Sequence, residues 1–325
     1  MSDSVEWRVP PEVEPIAKNY EFDLDAALSA VVGLRARVPT DAFTAEVLGS
    51  ERSGNGIVID ENGIVLTIGY LITEAEEIWL TTNSGHVVAG HPLAFDQETG
   101  FGIVQALGSL DLPALPLGEA SEATVGTRVV AAGAGGAPHS LAAFIAGKQE
   151  FAGYWEYVLD EAIFTVPAHP YWGGTGLIGP KGDLLGVGSL QLQQAREDGS
   201  PVPLNMYVPI DLLKPILDDM LTMGRANRPP RPWLGLFATE IDDRVVIAGL
   251  SGRGPAAHAD LREGDIVLSV GGTEVTGLAE LFRKIWSMGE AGVEVPMKVE
   301  RDGNAIELRV ASGDRNRFLK GPSLH

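Results

Sequence analysis

At 325 residues and 45% hydrophobic residues, the chain is long enough for two or three domains that each bury a core of their own. Its formal charge of −20 argues against nucleic acid and against insertion at anionic membrane surfaces, both of which demand basic patches. With no cysteine, disulfides, thiol catalysis and cysteine-ligated metal are excluded, and 40 glycines with 21 prolines predict the many tight turns of all-β domains.

Residues 1–25 are charged, contain proline and read as an N-terminal arm. The opening Met1-Ser2-Asp3-Ser4-Val5-Glu6 has neither a basic nor an apolar leader region, and no run of about 18 apolar residues occurs, so the expected location is cytoplasmic, without membrane insertion. Asp25–Arg37 starts as a short helix and continues as a strand. Short apolar runs then alternate with turns: Ala45–Val47, Ile57–Ile59, Val65–Ile68, Ile78–Leu80, Val87–Val88 and Ile103–Val104, a spacing that suits a six-stranded barrel. A second set, Val129–Ala131, Phe144–Ala146, Ile163–Val166, Leu184–Val187 and Met206–Val208, predicts a second barrel. Between these runs, Phe151–Tyr157 packs four aromatic residues into a short stretch, read as a contact surface for a partner or another subunit, or as core beneath a long loop. Asp211–Leu221 carries Leu213, Ile216, Leu217 and Leu221 at helical spacing, with Asp211 as N-cap. Residues 224–232, with Pro229-Pro230, form a stiff linker. Beyond it, Leu278, Leu281, Phe282 and Ile285 predict an amphipathic helix, and Val295–Val299 and Ile306–Val310 two strands around the turn at Asp302-Gly303.

Six stretches carry a family resemblance. Gly54-Asn55-Gly56-Ile57-Val58-Ile59-Asp60 through Thr67, then Asp96-Gln97-Glu98-Thr99-Gly100-Phe101, then Pro170-Tyr171-Trp172-Gly173-Gly174-Thr175-Gly176-Leu177 occur in the order of the three catalytic windows of trypsin-like proteases of the high-temperature-requirement (HtrA) kind. Trp233-Leu234-Gly235-Leu236, Ser251-Gly252-Arg253-Gly254-Pro255-Ala256-Ala257 and Leu261-Arg262-Glu263-Gly264-Asp265 resemble that family's PDZ domain. The resemblance runs from about residue 30 to 312. It implies a mostly β fold: a chymotrypsin/trypsin-like double β-barrel over 26–223, with barrels over about 26–122 and 123–223, followed by an α+β PDZ domain over 233–312 and a tail over 313–325. It further implies a homo-oligomer, a trimer in many relatives.

In these windows the family's histidine falls on Tyr70, its aspartate on Gly100 and its serine on Gly173, while Tyr171 stands where a glycine shapes the oxyanion hole. Serine catalysis needs an imidazole within hydrogen-bond reach, itself oriented by a carboxylate. Three such absences lead to the expectation of a catalytically inactive member, a pseudoprotease and not an enzyme, in which Tyr70, Tyr171 and Trp172 fill the old site. The rival expectation is an active serine or threonine endopeptidase with displaced residues, Thr175 or Ser189 as nucleophile and His169 as base.

A PDZ groove takes a peptide as an added strand and holds its terminal carboxylate on backbone N–H groups. The resemblance places these on Leu234, Gly235 and Leu236 beside Trp233, with Arg231 as counter-charge and Leu278, Phe282 and Ile285 along the apolar wall. The expected ligands are proteins or peptides with hydrophobic C-termini, and the expected role is adaptor, chaperone, assembly subunit or regulatory subunit of an active homologue. His86, His91, His139, His169, His258 and His325 lack the spacing of a zinc site and read as surface residues. No cofactor and no metal is implied.

Overall fold

Residues 7–195 and 199–321 are described by the computed structural model. The first six residues of the arm and the last four of the tail, His325 among them, lie outside the described residues. The chain divides into two compact units: Met1–Gln149 with Glu161–Asn227 and the end from Gly321, and Glu150–Asp160 with Arg228–Lys320.

The first unit holds two closed barrels. In the first, β1 (Val31–Arg37), β2 (Glu51–Asp60), β3 (Ile64–Ile68), β4 (Glu77–Thr81), β5 (Val87–Phe95) and β6 (Phe101–Ala106) close in the order β1-β2-β3-β6-β5-β4. The strands form where β-branched and aromatic residues cluster, and β3, Ile-Val-Leu-Thr-Ile, is buried along its whole length on both faces of the sheet. The second barrel joins β7 (Arg128–Ala132), β8 (Ser140–Gly153), β9 (Tyr157–Val166), β10 (Gly176–Ile178), β11 (Leu184–Ala195) and β12 (Pro201–Pro209) as β10-β11-β12-β9-β8-β7.

Two elements differ from the sequence expectation. Ala45–Val47 is no strand but part of a one-turn helix, α2 (Ala45–Leu48), following α1 (Leu24–Ser29) in the chain. Its Val47 is 61% exposed, so the run has no core to pair over, and the Glu74 carboxylate takes the N–H groups of Phe43 and Thr44 just ahead of it. The helix expected over Asp211–Leu221 is split into a 3₁₀ turn at Ile210–Leu212 and α3 (Leu217–Met223). Pro215 lies between them; it has no N–H to give and turns the residue before it away from the helical region. Asp211 therefore caps no long helix, and its carboxylate instead accepts from the N–H groups of Ala120 and Ser121.

The second unit is built on a sheet ordered β13 (Leu236–Ile241), β14 (Arg244–Leu250), β15 (Ile266–Val270), β17 (Glu294–Arg301) and β18 (Asn304–Ala311), with the short β16 (Thr273–Glu274) paired to β15. Helix α4 (Leu278–Ser287) buries Leu278, Leu281, Phe282 and Ile285, positions that fall on one face of a 3.6-residue helix. They pack with Leu236, Ala238, Ile247 and Val299 into one core, which Val158 also enters from the segment Glu150–Asp160. Strand β13 is the sheet's edge, with one neighbour, β14, in the strand order. That edge and α4 position the groove described below.

Candidate functional site

Two loci stand out, one in each unit. In the first unit, Tyr70, Gly100 and Gly173 lie together. The 3₁₀ turn Gly69–Leu71 follows β3 and carries Tyr70; the Gly69 N–H donates to the Gly100 carbonyl at 2.7 Å. Asp96 folds its own loop by accepting from the N–H and hydroxyl of Thr99, which sets Gly100 at the start of β6. The loop ahead of β10 is pinned by Asn55 of β2: its backbone N–H and side-chain amide both donate to Gly173 O, at 2.9 and 3.0 Å, and its side-chain oxygen takes the Ala134 N–H.

A Cβ built on Gly173 would stand 2.8 Å from the Tyr70 hydroxyl oxygen, so the tyrosine occupies the space a side chain at 173 would need. The Tyr70 hydroxyl donates to Ser189 O at 2.9 Å and hydrogen-bonds the Trp172 side chain, and burial raises its pKa. It is thus a neutral donor. Gly173→Ser is expected to cost about 1–2 kcal/mol, the worth of a displaced hydrogen bond and some crowding. In a Tyr70→Phe background the same change should cost less, so thermal melts of the four proteins should show coupling. Additive costs would contradict the occupied-space reading.

Tyr171 does not fill this locus, contrary to expectation. It is 58% exposed, its ring lies edge-on to Trp7 at 5.2 Å, and its N–H donates to His169 Nδ1. The backbone N–H of Tyr171, the residue that stands in place of the glycine shaping the oxyanion hole, is thus engaged within the chain. His169, expected at the surface, is 1% exposed. Its Nε2 faces His139 O at 2.9 Å while Nδ1 accepts from Tyr171, which fixes the neutral Nε2–H tautomer, and burial lowers its pKa. Both ring nitrogens are engaged away from the hydroxyls of Thr175 and Ser189. The Thr175 hydroxyl is itself bound to Trp172 O and Tyr207. These three residues are not assembled as nucleophile and base.

In the second unit, the loop leading into β13 aims three successive N–H groups at one carboxylate. Leu234 N donates to Glu156 Oε2 at 3.1 Å, and Gly235 N and Leu236 N donate to Oε1 at 2.7 and 3.1 Å. Gly235 has φ +75°, and a Cβ there would lie 2.8 Å from the Gly254 Cα, so only glycine lets the three donors converge. Trp233 closes the loop through a reciprocal backbone pair with Gly313, its ring 4.9 Å from Phe318. Burial pushes the Glu156 carboxyl up to about 7, against the opposing pull of the three N–H groups and of Arg315. The Arg231 guanidinium lies over the Trp286 ring at 4.5 Å, a cation–π contact. Leu278, Phe282 and Ile285 are core residues, 8%, 0% and 0% exposed.

Residues 54–187 match the model of the trypsin-like peptidase domain and residues 232–311 that of the PDZ domain. Among curated proteins, the chain is 27% identical over 281 residues to the probable periplasmic serine endoprotease DegP-like of Halomonas elongata, covering 82% of this chain and 58% of that protein. It is 22% identical over 320 residues to the serine endoprotease DegS of Salmonella typhimurium, covering 90% and 85%. The solved HtrA-type protease AlgW with tripeptide has a TM-score of 0.52 at 18% identity, over 95% of this chain and 99% of that one. The serine endoprotease from Yersinia pestis gives 0.53 at 20%, over 92% and 98%. The chain carries a trypsin-like peptidase domain followed by a PDZ domain and is similar to HtrA-type proteases.

Two expectations are corrected by these relatives. A chain whose relatives are named serine endoproteases is not to be read as a non-enzyme, and the pseudoprotease expectation does not stand. Nor does the cytoplasmic expectation stand, since the DegP-like relatives are named periplasmic. The chain spans a little over half the length of those relatives, and where a sequence begins is a poor guide to its compartment. No helix among the described residues is long and apolar enough to cross a membrane.

What the sequence left unread is Glu156. The available signal was a lone acid inside the aromatic stretch Phe151–Tyr157. Within that stretch Glu156 and Tyr157 are buried, Trp155 stacks on Tyr157 at 5.7 Å and Tyr154 packs on Phe237 of β13 at 5.9 Å while staying half exposed.

Proposed function

We propose that this protein recognises polypeptides by their C-termini, taking the terminal carboxylate on the N–H groups of Leu234, Gly235 and Leu236 and the preceding residues as a strand along β13. The observation that carries this reading is the convergence of three backbone donors on one carboxylate. Backbone N–H groups aimed at one anion, beside an exposed sheet edge, are what capture of a peptide terminus requires. The apolar wall of α4 favours a hydrophobic last residue, and the solved AlgW structures with a tripeptide and a decapeptide are consistent with a peptide ligand. Titration of the full chain with decapeptides that end in an apolar residue, each as free acid and as amide, tests it. Free acids are expected to bind and amides not; equal binding of the two forms would sink the reading.

Endopeptidase activity is the second reading, favoured by the names of the relatives. We assign Tyr70, Gly100 and Gly173 to the positions of the family's triad, so hydrolysis would draw on other groups, with Ser189 and Thr175 as the hydroxyls beside the locus. Turnover of an unfolded protein by the full chain, with loss in Ser189→Ala or Thr175→Val, would identify the nucleophile. Recognition of C-termini would serve a protease, a chaperone, an adaptor or a regulatory subunit alike.

A further inference from the structure

The geometry points to a self-closed peptide groove: the hairpin tip Glu150–Asp160 lies as an internal ligand between β13 and α4, the Glu156 side chain standing in for a peptide's terminal carboxylate. This rests on the reading of the groove given above and adds its regulation. Four observations converge. Glu156 takes all three N–H groups of the carboxylate loop and is buried there, with its backbone at φ +60°. Two residues earlier, Tyr154 O accepts the N–H of Ala238 at 2.9 Å, a bond of the kind an added strand makes with an edge strand. Two residues later, Val158 enters the core formed with α4, where an apolar ligand side chain would go. Finally, Arg283 of α4 grips both flanks of the hairpin, one nitrogen on Glu150 and the other on Asp160.

Anchor, added strand, apolar insert and latch are thus all supplied by the chain itself. A C-terminal peptide competes with Glu156 for the same donors, so binding requires the hairpin to leave. The apparent affinity then falls by the fraction of molecules with the groove open. A surface loop with no such role has no reason to place a carboxylate on three backbone donors at the end of an edge strand.

The test uses the full chain and the free-acid decapeptides, at about pH 8 so that carboxylates are ionised. Glu156→Ala is expected to bind them roughly 10- to 100-fold more tightly than wild type, the range spanned by charge-assisted hydrogen bonds. Glu156→Gln should fall between, since an amide oxygen still accepts but carries no charge. Arg283→Ala, which leaves the carboxylate loop untouched, should also bind more tightly, by a smaller factor, and it decides the matter alone should Glu156→Ala not fold. Equal affinity in wild type and in these variants would overturn the self-closed groove while leaving peptide recognition intact. If no variant binds any free acid, the groove reading fails, and this inference with it.

Discussion

Gly174→Ala is expected to prevent stable folding of the double-barrel unit, although the residue sits in a loop. Its φ is +75°, and a Cβ there would lie 1.9 Å from the backbone carbonyl oxygen of Asn55 and 2.8 Å from the Thr67 hydroxyl. Neither obstacle can swing aside: Asn55 is held in β2 by its bonds to Gly173 and Ala134, and the Gly174 N–H is tied to Gly188 O of β11. A backbone collision added to a left-handed conformation belongs to the exceptional class of substitutions that cost above about 4 kcal/mol. Gly173→Ala, one residue away, meets only the tip of a tyrosine and should cost about 1–2 kcal/mol. Soluble yield and thermal melting of the two variants check this contrast. Melting of Gly174→Ala within a few degrees of wild type would contradict it.

Arg52→Met is expected to be the second severe change. Arg52 is 6% exposed; it donates to Tyr70 O at 2.7 Å, Thr73 O at 2.9 Å, Gly49 O at 3.1 Å and the Thr44 hydroxyl at 2.8 Å. The Thr44 hydroxyl in turn donates to Glu74, itself 7% exposed. Burial lowers the Arg52 pKa, and Glu74 works against that shift. Methionine would keep the volume, but it would leave Glu74 without its buried counter-charge and carbonyls of the Tyr70 turn without a donor. Breaking a buried pair from one side costs about 3–5 kcal/mol, which for a unit of this size lowers the melting temperature by on the order of 10 °C. Arg52→Lys should rescue little, because one ammonium cannot reproduce the guanidinium fork. Adding Glu74→Gln to Arg52→Met should recover part of the loss, a coupling visible in a double-mutant cycle.

Most of the barrel strands were legible because their apolar runs are short, β-branched and bounded by turn residues, as in Val65–Ile68 between Gly63 and Gly69. Val47 misled because a short apolar run carries no information about whether a core lies beside it. Leu213, Ile216, Leu217 and Leu221 do recur at helical spacing, but Pro215 set between them decides the local backbone more strongly than periodicity does. At the candidate sites, Leu234-Gly235-Leu236 stood out through its resemblance to the carboxylate loop of a PDZ domain, and the structure aims the three N–H groups of that loop at one carboxylate. Tyr70, Gly100 and Gly173 could be picked out for their place in flanking motifs. That Tyr70 alone takes the space at 173, while Tyr171 turns outward onto Trp7, depends on side-chain direction, which motif spacing does not encode. Glu156 was illegible for a different reason: its partners lie 78 to 80 residues further along the chain. No local pattern links an acid in an aromatic hairpin to a loop that distant.

The most direct measurement is residue-resolved hydrogen exchange on the full chain, with and without a free-acid decapeptide ending in an apolar residue. The amides of Leu234, Gly235, Leu236 and Ala238 are expected to be protected in the free protein, to remain protected with peptide, and to lose protection in Glu156→Ala until peptide is added. Exchange in the hairpin Glu150–Asp160 should rise when peptide binds to wild type. Peptide that binds while leaving the hairpin's exchange and these amides unchanged, in wild type and in Glu156→Ala alike, would contradict both the assignment of the groove and its closure by Glu156.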